Sequence, residues 1–284
     1  MRSRVRKAFL AAAYQAASVI GVGELRAALQ TKDVLQVLAA LSGAEEELAR
    51  ALRGGDFISA LEETYTRAGR ETALRVTNNV PAAASGFRFD LVNPRAVEFL
   101  RAYDGNLIRE LSKETRQNLV QVVENGFKRG YGIREMTEEI MSVVNFGLTA
   151  RQQKATWNYW QAQIEAGSSY TEAKKRRSIY EKRLLRYRAE MIARTETIRA
   201  AEQGKQESWR QAMDEDLLDP DTTRRVWIIT PDDRLCDFCR GVKQLNAEGI
   251  PFNDHFRTPD GYFVGGPPAH PHCRCSTGLR FSND

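Results

Sequence analysis

The stretch Pro267–Arg280, PPAHPHCRCSTGLR, places two histidines and two cysteines within six positions, His270 to Cys275. The 284-residue chain has only 4 cysteines and 3 histidines, and the other two cysteines form a second knot, RLCDFCRG. Cys236 and Cys239 make a C-x-x-C knuckle there, a spacing at which one turn of backbone brings two sulfurs to one point. Zinc takes four nitrogen or sulfur ligands in a tetrahedron. Two ligands from each knot would close a loop of about 30 residues and pin its ends together. Cys273 and Cys275 point the same way in an extended segment, so all four cysteines are one candidate ligand set. His270 with Cys273 or Cys275 is the competing second half, and Pro267, Pro268 and Pro271 stiffen it.

Other chemistries compete for these residues. Free buried thiols are one; a redox C-x-x-C is another, but no thioredoxin-like βαβ pattern surrounds it. Four protein ligands leave no open position for water, so the metal reads as a structural Zn2+ and no residue is assigned a catalytic role. The alternative enzyme reading is an HNH-type nuclease, for which Asp254-His255 would supply the Asp-His pair. The residues after His255 are largely Pro and Gly and leave no room for a helix to carry a last ligand, so His255 reads as a loop histidine.

Composition narrows the class. Hydrophobic residues make up 42% and charged residues 28%, an ordinary soluble balance with enough chain for a sizeable core. No apolar run approaches the ~18–20 residues that a membrane span needs, so no membrane partner is expected. The start, MRSRVRKAFLAAAYQAASVI, has a basic head and an apolar stretch, but Tyr14 and Gln15 interrupt it and no cleavage site stands out. It reads as an amphipathic helix rather than a signal peptide. Without export, structural disulfides are not expected. The net charge of +5 is uneven: residues 151–213 carry 14 Lys/Arg against 7 Asp/Glu, and residues 214–284 carry 8 against 12.

The knots must be positioned by the rest of the chain, and the first 213 residues read as helix after helix. Val97, Leu100, Tyr103, Leu107, Leu111, Leu119, Val122 and Phe127 keep a three-to-four spacing, with Asn93-Pro94 as cap and first turn, and Gly126 and Gly130 as stops. IREMTEEIMSVV is a shorter helix, and Thr149 caps the next. The N-terminal third breaks near Gly21–Gly23, Gly43 and Gly54–Gly55, and residues 80–93 form a loop or extended link. Residues 170–213 hold no proline and one glycine, Gly204, where a break is possible; unbroken, the helix is roughly 65 Å long. Seven of the nine prolines lie in 214–284, where RRVWIIT, GYFVGG and CSTGLRF are strand candidates. The expected fold is mainly α: an N-terminal helical region (1–92), a central helical region with a long basic helix (93–213), and a small α+β module stapled by metal (214–284). Fewer than ~70 residues usually need such a staple.

Within the long helix, residues 172–188 carry eight Lys/Arg against two Glu. Lys174, Lys175, Arg176, Arg177, Lys182, Arg183, Arg186 and Arg188 could follow the phosphates of double-stranded DNA without sequence preference, face an acidic partner, or simply be solvated. Arg194, Thr195 and Glu196 lie further along. Docking of the metal module, with Asp232 and Arg234 as partners for Arg194 and Glu196, is preferred over catalysis.

These stretches together resemble the Mu protein F-like (MuF-like) head morphogenesis proteins of tailed phages. The resemblance runs from about 130 to 280. RGYGIREMTEEI and FGLTARQQKATWNYW open it; MIARTETIRAAEQGK looks like the family's A-R-T-E helix. WIITPDDRLCDFCRGVKQLN and PPAHPHCRC match its Asp-x-Arg-x-Cys-x-x-Cys run and its closing Pro-Pro-x-His-Pro-x-Cys-Arg-Cys. The resemblance implies a minor capsid protein of the virion, present in a few copies inside the head. It implies contact with the portal protein and with the major capsid or scaffold protein, in the host cytoplasm during assembly. Some similar proteins are fused to toxin domains; with FSND closing the sequence, no such cargo is expected here.

Overall fold

The computed structural model describes residues 1–80, 86–142 and 146–281. Within them the chain is mainly helical with a small mixed region at its C-terminal end. The helices are α1 (Arg2–Ser18), α2 (Val22–Gln30), α3 (Val34–Ala40), α4 (Ser42–Gly54), α5 (Asp56–Asn79), α6 (Pro94–Lys128), α7 (Ile133–Ile140), α8 (Ala150–Glu165) and α9 (Tyr170–Asp214). Then follow β1 (Thr223–Ile228), α10 (Asp237–Leu245), β2 (Ile250–Pro251), β3 (Phe256–Arg257), β4 (Phe263–Val264) and β5 (Ser276–Phe281). Among the described residues, no single helix is long and apolar enough to cross a membrane.

Local chemistry explains most boundaries. The Asn93 side chain accepts from the Arg95 amide, and Pro94 opens α6. Thr149 and Gln152 form a reciprocal capping box on α8. Gly126 does not stop α6 but lies inside it, against Met136; the stop is Gly130. At φ +70 Gly130 lets the Tyr131 amide reach back to the Gly126 carbonyl and its own amide to Phe127, a Schellman closure. The break expected near Gly43 is found at Leu41, between α3 and α4, and a break that composition does not announce occurs at Thr31–Asp33, where Asp33 caps α3. Of the link expected at 80–93, residues 81–85 lie outside the described residues, as do 143–144 of the expected IREMTEEIMSVV helix.

The contacts divide the chain into two compact units, neither of them contiguous. One comprises Met1–Arg2, Ser59–Arg101 and Met191–Asp284; the other comprises Ser3–Ile58 and Ala102–Glu190.

In the first unit, α9 is unbroken at Gly204, which serves a close crossing instead. A Cβ there would stand 2.2 Å from the Tyr65 carbonyl oxygen on α5. The Gln211 amide accepts from the Asp90 backbone N–H at 2.8 Å and donates to its carbonyl at 2.9 Å. The three-stranded sheet has the order β2-β1-β5 and is antiparallel, with Trp227 opposite Thr277. β3 and β4 form a separate hairpin. Trp227, Val242, Ile250, Phe256, Cys239, Cys273 and Cys275 make one buried cluster, so the cysteines are part of the core of this small region.

In the second unit, two of the basic residues of α9 are interior groups. Arg177 lies 3.8 Å over the Trp157 ring and pairs with Glu139 at 2.5 Å and Glu181 at 2.7 Å. Arg188 is 1% exposed and donates to the Gly147 carbonyl at 2.7 Å and to Glu114 at 2.5 Å. Both were expected on a DNA-facing surface; the burial of these guanidiniums, matched by carboxylates and carbonyls, removes them from it.

Burial pushes the Glu181 carboxyl up to about 7, with Arg177 opposing the shift and Glu139 reinforcing it. A carboxyl raised in the fold binds its proton more tightly folded than unfolded. Its contribution is complete below the ordinary value of 4.5 and is lost as pH rises through about 7. Glu181→Gln, which stays neutral while Glu139 keeps Arg177 paired, should therefore raise the melting temperature at pH 8 and change it little at pH 4. Equal shifts at both values would show that Glu181 is ionised throughout.

Candidate metal centre

The first knot is built by a helix start. Cys236 is the N-cap of α10, and its sulfur accepts from the Cys239 amide at 3.4 Å. The C-x-x-C spacing is thus N-cap to third helical residue, which brings both sulfurs together at the start of one helix.

The second knot is built by a tight turn. The Cys273 amide donates to the His270 carbonyl at 3.1 Å, with Pro271 and His272 between them. Proline fixes φ at the second position, and His272 adopts φ +63 at the third, as a type II turn requires. The reversal folds Cys273 back beside His270. The His270 Nδ1–H donates to the Pro271 carbonyl at 2.8 Å, which orients the ring with Nε2 toward the sulfurs. Nε2 lies 3.2 Å from the Cys236 sulfur and 3.0 Å from that of Cys239.

The two knots meet at Cys239. Its sulfur is 3.9 Å from that of Cys273, and Cys239, Cys273 and Cys275 form a second group whose sulfurs lie within 4.8 Å of one another. A tetrahedral zinc site sets sulfurs about 3.8 Å apart and sulfur and nitrogen about 3.6 Å apart. The donors are therefore of the right kind and near the right separation to hold a metal ion. Hydrogen bonding between Cys239 and Cys273 keeps the proton on Cys239 and favours the thiolate on Cys273. A cation among these sulfurs would remove the competition for that proton.

A bidentate ion pair ties the loops that carry the knots. Arg274, between Cys273 and Cys275, donates through both terminal nitrogens to Asp232, and the Thr230 hydroxyl donates to the Arg274 carbonyl at 3.1 Å. The Arg274 hydrogen bond holds the Asp232 carboxyl well below the usual range. This corrects the expected pairing of Asp232 with α9: Asp232 is taken by Arg274, with Arg234 also on Asp232 at 3.5 Å. Glu196 pairs with Arg199 at 3.7 Å. Within the Arg194–Glu196 stretch, the Thr195 hydroxyl accepts from the His272 amide at 3.3 Å.

A second contact with α9 is one that sequence reasoning missed. Glu202 is 3% exposed and accepts from the Thr277 amide at 2.8 Å, the Thr277 hydroxyl at 2.6 Å and the Ser276 hydroxyl at 2.9 Å. Lys205 pairs with Glu202 at 2.6 Å and donates to the Thr277 carbonyl at 2.9 Å. One carboxylate and one ammonium thus complete the hydrogen bonding at the outer edge of β5. A Glu and a Lys three apart in a charged helix read as a solvated pair; only the small residues around them, Ala200 and Gly204, hint at a covered face.

Of the other predicted residues, Lys174, Lys175, Arg176, Lys182, Arg183 and Arg186 are exposed on α9. Lys174 pairs with Glu138 at 3.7 Å and Arg176 with Glu172 at 2.6 Å. Asp254 and His255 line an open groove of about 680 Å³ with Asn246, Arg257 and Phe263, while the cysteines and His270 line a different pocket of about 200 Å³.

The turn predicts how His272 behaves. A left-handed conformation costs a non-glycine residue roughly 1–2 kcal/mol. His272→Gly should retain metal and leave thermal stability equal or higher, whereas His272→Val should lower it. Loss of metal from His272→Gly would identify His272 as a ligand.

The comparisons with known proteins agree with the geometry. The family model described as Phage Mu protein F like protein matches residues 117–278, more than half of the chain, and spans both knots and all of α9. No curated protein and no solved structure matches. The resemblance carried by the A-R-T-E helix and the two cysteine knots is that of a true member: the chain belongs to the Phage Mu protein F like family of phage head morphogenesis proteins.

Proposed function

We propose that this chain is a minor head protein of a tailed phage, a structural component whose C-terminal region is locked by one zinc ion. The observation that carries this reading is the family match over 117–278. It assigns the chain to head morphogenesis; the cluster supports a structural rather than a catalytic role, since four protein ligands leave no position for water. The ligand set is Cys236, Cys239, His270 and Cys273. The orientation of His270 Nε2 toward two sulfurs argues for its inclusion, and Cys273 is the sulfur at 3.9 Å from Cys239. Cys275, buried beside them, is core. Bound zinc would supply four bonds joining α10 to the 270–273 turn; the chain's own residues orient the His270 ring and hold the loops through Asp232 and Arg274.

In this reading the protein sits inside the head near the portal, in contact with the portal protein and with the major capsid or scaffold protein. It is made in the host cytoplasm and ends in the virion. The exposed Lys175, Lys182, Arg183 and Arg186 suit a polyanionic neighbour. Packaged double-stranded DNA fits that description, held without sequence preference through its phosphates.

Zinc bound per chain, X-ray absorption at the zinc edge and incorporation into heads test the reading together. Purified protein should hold about one zinc per chain, coordinated by three sulfurs and one nitrogen. Cys236→Ser should give a protein with most of its helix signal but no stoichiometric zinc, and heads assembled with it should lack the protein. Normal incorporation of a metal-free Cys236→Ser protein would overturn the clasp's role in assembly.

A further inference from the structure

The segment from His272 to Thr277 carries Cys273 and is fastened to α9 at both ends. At its start the His272 amide donates to Thr195. At its finish Ser276 and Thr277 are held by Glu202 and Lys205. Thr195 and Glu202 are seven residues apart on one helix, two turns and about 10.5 Å of rise, so they lie on one face. An uninterrupted helix is a rigid ruler at this scale. The ligand-bearing segment is laid along it, with its bend at His272 and its straight part in β5.

The contacts at the β5 end are unusually complete. In the antiparallel pair with β1, Thr277 stands opposite Trp227, and its N–H and C=O point away from β1 to Glu202 and Lys205. The buried carboxylate has its lone pairs matched by an amide, two hydroxyls and an ammonium. Such an arrangement fixes a position more than it adds stability, because any one missing partner leaves a buried charge exposed to the low dielectric.

We propose that Glu202, with Lys205, is a positioning group for the metal: it presets the path of residues 273–277, and with it the place of the Cys273 sulfur, so that the long helix sets the affinity of the site. This rests on the reading of the cysteine–histidine cluster as a zinc centre. Metal ligands are oriented by groups beyond them, and removing such groups typically weakens metal affinity 10–100-fold. Glu202 acts here through the backbone two residues past Cys275 rather than through a ligand side chain.

The test measures the zinc dissociation constant by competition with a chromophoric chelator, on the full chain, for wild type, Glu202→Ala, Glu202→Gln and Gln211→Ala. Glu202→Ala should weaken zinc 10–100-fold. Glu202→Gln, whose amide oxygen still accepts from the Thr277 N–H, should recover part of that loss. Gln211→Ala removes another α9 contact of the same unit, to Asp90, and should leave zinc affinity unchanged. If Glu202 only adds stability, the folded fraction stays near one and zinc affinity does not move in any variant, which overturns the proposal. Should Glu202→Ala fail to fold, Thr277→Val, lacking one hydroxyl donor, replaces it with an expected several-fold loss, and no change there overturns the proposal equally. A wild-type chain that binds no zinc would instead overturn the reading of the site itself.

Discussion

Three of the seven buried residues in the core of the C-terminal sheet are cysteines. A region this small cannot hold itself by apolar burial, since the entropy of ordering its loops is comparable to what Trp227, Val242, Ile250 and Phe256 contribute. The polar sulfur atoms at its centre therefore decide whether it closes. Everything else in the region serves that meeting point. The start of α10 turns two sulfurs inward, the Pro271–His272 turn folds a third back against an imidazole, and the Asp232–Arg274 pair keeps the two loops in register.

The same constraint explains the character of α9. Over Met191–Asp214 its covered face includes Thr195, Glu196, Glu202, Gln206, Glu207 and Gln211 as well as Ile192, Ala200 and Trp209. An apolar face would bury more area but could slide. A face whose Glu202 must find Thr277, and whose Gln211 must find the backbone of Asp90, accepts one register. A polar seam of this kind holds a small region to one shape.

The two knots were legible in the sequence because their chemistry is local. C-x-x-C is a helix start, and H-P-H-C is a turn with proline at the position that favours it. The helical texture was legible for the same reason: the Asn93-Pro94 cap and the Thr149 cap act within one turn. What depends on tertiary partners was not. Lys and Arg are solvated by default, so Arg177 and Arg188 read as surface until Glu139, Glu181, Glu114 and the Gly147 carbonyl are seen around them. Gly126 and Gly204 read as breaks because glycine lowers helix propensity, yet both stay in helices, where close neighbours leave no room for a Cβ. Asp232 pairs with Arg274 rather than with α9 because the fold lays Arg274 beside the Thr230–Asp232 loop, a tertiary arrangement with no local signature.

On the proposed reading, metal and helix seam form one cooperative unit. Amide hydrogen exchange on the intact chain tests it most directly, comparing zinc-loaded with chelator-treated protein. Removing zinc should speed exchange at Cys239 and Cys273, and also at the Thr277 amide on Glu202, while the α1–α4 helices keep their protection. Faster exchange confined to the two knots, with Thr277 as protected as before, would contradict it.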